Sequence, residues 1–299
     1  NFINGENITG GNNLLDVFNP QTGEIISKVP LSNSLSVDSA VSAAKEAFPR
    51  WSNMPIKERV QVFYKYKQLL EQLKDELAAL VSEENGKTIS ESEAEVLKSV
   101  EVTEFACSLP QLTFGEILEV SNGVECRSEF SPLGVVACIT PFNFPNMVPN
   151  WTLPNALVMG NTMVLKPSEQ VPLSAMRLAE LLKEAGLPDG VFNIVHGAQE
   201  VVESICDHPD IQAVSFVGST RVAKIVYKRS TANLKRALAL GGAKNHLIVL
   251  PDANVEMTAS NVAVSMSGCA GQRCMAASAM VAVGEVDHII EKLCEEARS

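Results

Sequence analysis

The runs Val135-Val-Ala-Cys-Ile-Thr140 and Thr162-Met-Val-Leu-Lys166, with a helix-like stretch at 149–159 between them, decide the fold. Short apolar runs bounded by turn residues are strands buried on both faces, and a helical crossover between two of them sets them parallel. The rhythm continues outward. Strands are expected at 135–140, 162–166, 191–195, 213–217, 236–240 and 247–250, with helices at 149–159, 174–185, 200–207 and 220–229. From Pro132 onward the chain therefore reads as α/β, a parallel sheet covered by helices.

Upstream the pattern differs. Residues 1–31 are rich in Asn and Gly, with turn signals at Asn4-Gly5, Gly10-Gly11 and Asn19-Pro20-Gln-Thr-Gly23, and predict small strands and hairpins. Between 36 and 108 the apolar residues recur at helical spacing (Val60, Phe63, Tyr64, Tyr66, Leu69, Leu70), which predicts two or three long amphipathic helices. The stretch 113–130 reads as two extended segments around Ser121-Asn122-Gly123. Gly241-Gly242 is a candidate hinge between domains.

Composition removes several classes of function. Against 24 basic residues stand 35 acidic ones, a formal charge of −11, so the footprint of a nucleic-acid or anionic-membrane binder is missing. No apolar run is long enough to cross a bilayer, and the N-terminus carries no charged-then-apolar targeting segment. The seven cysteines form no CxxC pair, which argues against a metal site and for a reducing, cytoplasmic setting.

Three segments fall at the carboxyl ends of the expected strands, where open α/β sheets bind ligands. In Thr140-Pro-Phe-Asn-Phe-Pro145 two prolines fix a loop, and Asn143 is either an amide donor to a developing oxyanion or a turn residue. In Lys166-Pro-Ser-Glu169 the charged pair suits a dinucleotide ribose, with Glu169 disfavouring a 2′-phosphate and so favouring NAD over NADP; a plain ion pair is the competing reading. In Phe216-Val-Gly-Ser-Thr220 a strand turns through Gly218 into a helix start that can face a pyrophosphate, or Ser219 is merely a cap. Cys274 is a further candidate. It sits among small residues in Ser267-Gly-Cys-Ala-Gly-Gln-Arg-Cys-Met-Ala-Ala-Ser278, as an accessible nucleophile beside Arg273 or as a small packed hydrophobe.

Together Glu84-Asn-Gly-Lys-Thr88, Pro141-Phe-Asn-Phe-Pro145, Gly160-Asn-Thr-Met-Val-Leu-Lys-Pro-Ser-Glu169, Phe216-Val-Gly-Ser219 and Gly271-Gln-Arg-Cys274 resemble the aldehyde dehydrogenase superfamily along the whole chain. The resemblance implies a Rossmann-like sheet with helices on both faces, N-terminal helices and hairpins, and the start of a second α/β catalytic domain. It places an NAD-binding domain at 1–241, with an oligomerisation hairpin near 113–132, and the opening of the catalytic domain at 242–299. It also assigns roles. Cys274 is implied as the nucleophile and Asn143 as the oxyanion donor. Thr140, Phe142, Lys166, Glu169, Gly218 and Ser219 are implied as NAD contacts, and a dimer or tetramer as the assembly of the full-length protein.

One departure from the family pattern is informative. Hydrolytic members carry Glu-Leu-Gly-Gly-Lys, whose Glu activates water, whereas the corresponding run here is Leu240-Gly-Gly-Ala-Lys244. Leucine accepts no proton. With Ala243-Lys-Asn-His246, Gln272-Arg-Cys-Met275 and His208-Pro-Asp-Ile211, the chain is similar to the methylmalonate-semialdehyde dehydrogenase branch, which hands its acyl group to coenzyme A. By that resemblance malonate or methylmalonate semialdehyde is oxidised through a Cys274 thioester, decarboxylated and released as acetyl-CoA or propionyl-CoA. Arg273 is the expected clamp for the substrate carboxylate. The family tends to place an arginine where this chain has Lys98, and the compartment would be the mitochondrial matrix in a eukaryote. Two other readings stand beside this one: a hydrolytic enzyme for another small aldehyde, and an inactive nucleotide-binding piece, because family members continue well past the nucleophile.

Overall fold

The computed structural model describes residues 1–9 and 13–298, so the expected Gly10-Gly11 turn lies outside the described residues. Residues cluster into two compact units, Asn1–Gly241 and Gly242–Ser299.

The first unit opens with β1 (Phe2–Ile3) and β2 (Glu6–Asn7). Both loop residues, Asn4 and Gly5, have positive φ (52° and 77°), the conformation a two-residue hairpin of this hand requires. A Cβ on Gly5 would collide with the Asp189 carboxylate. A second hairpin, β3 (Leu14–Phe18) and β4 (Ile25–Pro30), closes through Asn19, whose side chain accepts from the Gln21 N–H at 2.8 Å.

Four helices follow where two or three were expected: α1 (Ser34–Asn53), α2 (Ile56–Gln72), α3 (Lys74–Asn85) and α4 (Ile89–Ser108). The breaks are chemical. Pro55 holds Met54 extended ahead of α2, Gly86 ends α3 in the left-handed region (φ 86°), and Thr88 caps α4 by accepting from the Glu91 N–H. A hairpin, β5 (Glu116–Ser121) and β6 (Val124–Ser128), turns at Asn122-Gly123, and both its strands are exposed.

Strands and helices then alternate: β7 (Val135–Ile139), α5 (Met147–Val158), β8 (Thr162–Lys166), α6 (Pro172–Glu184), β9 (Phe192–Ile194), α7 (Gln199–Asp207), β10 (Ile211–Val217), α8 (Thr220–Ala232) and β11 (Arg236–Leu240). The sheet runs β11-β10-β7-β8-β9 in parallel, with β1 and β2 added antiparallel beyond β9. Alternation along the central strands feeds two cores. Val136, Cys138, Met163 and Leu165 pack under α2, α4, α5 and α6, whereas Val135, Ala137, Ile139 and Val164 pack under α1, α7 and α8. Helices cover both faces, as a Rossmann-like arrangement demands.

The α8–β11 turn carries a strained residue. Leu234 has φ 58° and is 96% exposed, at the position after a helix where glycine is usual. Left-handed backbone costs a non-glycine residue roughly 1–2 kcal/mol. Replacing Leu234 with glycine is expected to stabilise the intact protein by about 1 kcal/mol, a gain of a few degrees in thermal midpoint by calorimetry.

The second unit holds the parallel pair β12 (Asn245–Val249) and β13 (Ala277–Ala282) with α9 (Val255–Ser267) and α10 (Asp287–Glu296). Val249, Val286 and Ile289 form its small core.

Candidate functional site

The chain leaves β7 outward through β8 to β9, then returns to place β10 on the other flank of β7. Loops after β7 and β10 thus diverge at the carboxyl edge, opening the crevice where doubly wound sheets bind ligands. Thr140 follows β7, Lys166 ends β8, Gly218 follows β10 and Leu240 ends β11. Backbone bonds extend the ladder one step further: Thr140 N–H donates to the Lys166 carbonyl and Gly218 N–H to the Leu240 carbonyl, both at 3.1 Å.

The β7 loop is held from outside. Asn85 Nδ2 donates to the Phe142 carbonyl at 2.9 Å, and Lys87 Nζ to the Asn143 carbonyl at 2.8 Å. Lys87 is also paired with Glu95 Oε2 and lies 4.0 Å from the centroid of the Phe144 ring. Glu95 Oε1 accepts from the Asn146 and Met147 N–H groups at 2.8 and 3.0 Å, capping α5. That cap starts the helix at Met147, two residues before Pro149, where the sequence suggested it would begin. Burial raises the Glu95 pKa, and the Lys87 ammonium offsets part of the rise.

Asn85, Lys87 and Glu95 did not stand out as site residues in the sequence. The signal for Asn85 and Lys87 was the motif Glu84-Asn-Gly-Lys-Thr88, which announces no chemistry of its own, and Glu95 lies outside that motif. Glu84 caps a second helix, accepting from the Leu173 and Ser174 N–H groups at 2.8 and 2.9 Å in the first turn of α6; burial pushes its pKa up to about 7.

Lys166 and Glu169 form an ion pair at 2.8 Å, with the lysine buried and the carboxylate about a third exposed. This is no plain surface pair. Burial acts to raise the Glu169 pKa, but the Lys166 charge and hydrogen bond outweigh it and hold the carboxyl below the ordinary range. At Gly218 an added Cβ would lie 2.6 Å from the Phe216 ring, so the chain passes close to that ring only as glycine. Ser219 caps α8, accepting from the Val222 N–H at 3.4 Å. An ionised carboxylate at a strand end and an exposed helix start after a glycine turn fit a dinucleotide's ribose and pyrophosphate. Among the described residues no cluster of His, Cys, Asp and Glu is arranged to hold a metal, and no helix is long and apolar enough to cross a membrane.

In the second unit Cys274 is exposed, and none of the seven cysteines is in a disulfide. Asn245 Nδ2 anchors its loop, donating to the Cys274 carbonyl at 2.7 Å and the Ala276 carbonyl at 3.1 Å. Cys269, Ala270 and Gly271 all have positive φ (51°, 52° and 75°), a tight turn in which Cys269 is buried. One terminal nitrogen of Arg273 donates to the Val264 and Ser265 carbonyls at 2.6 and 2.9 Å, at the end of α9. Its Nε has no partner among the described residues. Lys98 points to Glu101 at 2.6 Å and is exposed.

Comparison with known proteins shows the family. The aldehyde dehydrogenase family model matches residues 8–299. A protein from Geobacillus thermodenitrificans named malonate-semialdehyde dehydrogenase 2 is 51% identical over 98% of this chain and 61% of its own length. One from Lacticaseibacillus casei named malonate-semialdehyde dehydrogenase is 49% identical over 100% and 61%. A methylmalonate-semialdehyde dehydrogenase structure from Oceanimonas doudoroffii superposes with a TM-score of 0.95 at 46% identity, over 99% of this chain and 60% of that one. A Sinorhizobium meliloti structure carrying a methylmalonate-semialdehyde dehydrogenase name and complexed with NAD gives 0.97 at 43% identity, over 100% and 62%. The chain spans about three fifths of the length of these curated relatives. Across that span, in sequence and in fold alike, the chain belongs to the aldehyde dehydrogenase family.

Proposed function

We propose that the protein carrying this chain oxidises malonate or methylmalonate semialdehyde with NAD and transfers the resulting acyl group to coenzyme A. Residues 1–241 act as the NAD-binding domain, with Lys166 and Glu169 at the ribose, Gly218 and Ser219 at the pyrophosphate and Thr140 and Phe142 alongside. Residues 242–299 begin the catalytic domain. The Cys274 thiolate adds to the aldehyde carbon, and the Asn143 amide donates to the oxyanion that forms. When bound, NAD supplies the acceptor for the aldehyde hydride, so the carbon is left as a thioester on Cys274. Arg273 holds the substrate carboxylate until the bond to the α-carbon breaks and carbon dioxide departs; the electron pair left as the thioester enolate then takes up a proton from water. The coenzyme A thiol then attacks the thioester carbonyl, releasing acetyl-CoA or propionyl-CoA and regenerating the thiolate.

The observation that carries this reading is Leu240. It ends β11, hydrogen-bonded through its backbone to Gly218, at the position where hydrolytic relatives of the sequence pattern hold a carboxylate. Water needs a base to attack a thioester, whereas a thiol is already a few per cent ionised near neutral pH. In the full-length protein, NADH formation from malonate semialdehyde is expected to stop near one equivalent per active site without coenzyme A and to continue with it. Leu240→Glu is expected to give turnover without coenzyme A. Equal, sustained turnover in its absence would overturn the acceptor and favour a hydrolytic enzyme.

The same reading extends to assembly and location. Phe114, Ile117, Leu118, Val120, Val124 and Phe130 are all more than half exposed along 113–132, which supports this hairpin as the contact of a homodimer or homotetramer. Seven cysteines, none in a disulfide, support a reducing compartment such as the cytoplasm.

A further inference from the structure

The segment 141–145 contains two prolines and so lacks two of its own backbone donors. Its conformation is set by groups from α3, α4 and the turn between them. The Lys87 ammonium has three protons and three acceptors: Glu95 Oε2, the Asn143 carbonyl at 2.8 Å and the face of Phe144 at 4.0 Å. Glu95 uses its second oxygen on the Asn146 and Met147 N–H groups. One buried ion pair therefore holds the loop at Asn143 and Phe144 and the helix start that follows it, and Asn85 holds the preceding Phe142 carbonyl. Lys87 and Glu95 are 4% and 2% exposed. Burying such a pair costs desolvation energy that packed apolar side chains avoid, so its presence calls for a reason beyond stability.

We propose that Lys87, assisted by Asn85, is a positioning residue that fixes the Asn143 peptide and thereby aims the Asn143 amide at the developing oxyanion. This rests on the reading of Asn143 as oxyanion donor. Fixed donors stabilise charge because they need no reorganisation at the moment of reaction, and a misplacement of about 1 Å can cost on the order of 10²-fold. The ammonium performs no proton transfer. It holds a carbonyl whose amide plane determines where the Asn143 side chain starts.

The test uses Lys87→Met in the full-length protein, where Glu95 can take up a proton in place of the lost cation. Hydrogen exchange across 140–147 is expected to accelerate while the other sheet strands keep their protection. Unchanged exchange there overturns the brace whatever the substrate proves to be. The NADH burst with malonate semialdehyde gives the second readout. Asn143→Ala is expected to slow it roughly 10²–10³-fold, and Lys87→Met about 10-fold or more, at saturating NAD. In the double variant Lys87→Met is expected to add less than about twofold to the loss from Asn143→Ala, because a residue acting through Asn143 has nothing left to position. Multiplying losses, or a full burst in Lys87→Met, overturns the proposal. A full burst in Asn143→Ala overturns the oxyanion assignment instead. Should Lys87→Met fail to fold, half-buried Asn85→Ala is expected to show the same pattern with a loss of about 3-fold, and its absence overturns the brace.

Discussion

On the proposed function, Cys274→Ala in the full-length protein is expected to lower NADH formation from malonate semialdehyde by about 10⁴-fold or more, measured under saturating NAD and coenzyme A. Removing a covalent nucleophile takes away the whole route, and what remains is the rate supported by binding and donors alone. Cys274 fits this role by exposure: four of the seven cysteines (Cys107, Cys138, Cys206 and Cys269) are buried, and a buried thiol meets no substrate. Burial also pushes the Cys107 and Cys138 thiols up to about 11, so at neutral pH neither supplies thiolate. The other exposed pair, Cys126 and Cys294, lie on the hairpin strand β6 and on helix α10. A Cys126→Ala variant is the matched control, and it is expected to keep full activity. Loss of activity there with survival in Cys274→Ala would move the nucleophile.

Glu95→Ala produces the largest expected loss of stability, about 3–5 kcal/mol, read as a lower denaturant midpoint in equilibrium unfolding. Two effects combine. The Lys87 charge is left buried with no carboxylate, and the Asn146 and Met147 N–H groups lose their acceptor at the start of α5. Glu95→Gln is expected to cost less. Its amide oxygen still accepts from the helix start, although the ammonium stays uncompensated. Equal midpoints for the wild type and Glu95→Ala would show that the pair carries no weight in the fold.

Much of the fold was legible because strands and helices are local statements. Val135–Ile139 is apolar throughout, Thr162–Lys166 is apolar at its centre, and both are buried along their whole length. The four helices of 34–108 were harder to count, since Pro55 and Leu73 interrupt a periodicity that runs on across them. The attachment of β1 to β9 pairs Phe2 with Ile194, a contact no local pattern encodes. The candidate site divides the same way. Thr140, Asn143, Lys166, Glu169, Gly218 and Cys274 stood out by residue type and place in the motifs, whereas Asn85, Lys87 and Glu95 did not.

Hydrophobic periodicity by itself determined an α/β chain, which strands it contains, and that its distinctive loops follow strand ends. Tertiary structure alone decided what those loops rest on. Lys87 reaches a carbonyl 56 residues away, Glu84 and Glu95 each cap a helix from another part of the chain, and a terminal nitrogen of Arg273 is engaged with the end of α9. The physical reason is that a buried charge takes whichever partners the chain crossings bring within about 3 Å, and those crossings are fixed by packing over the whole sheet.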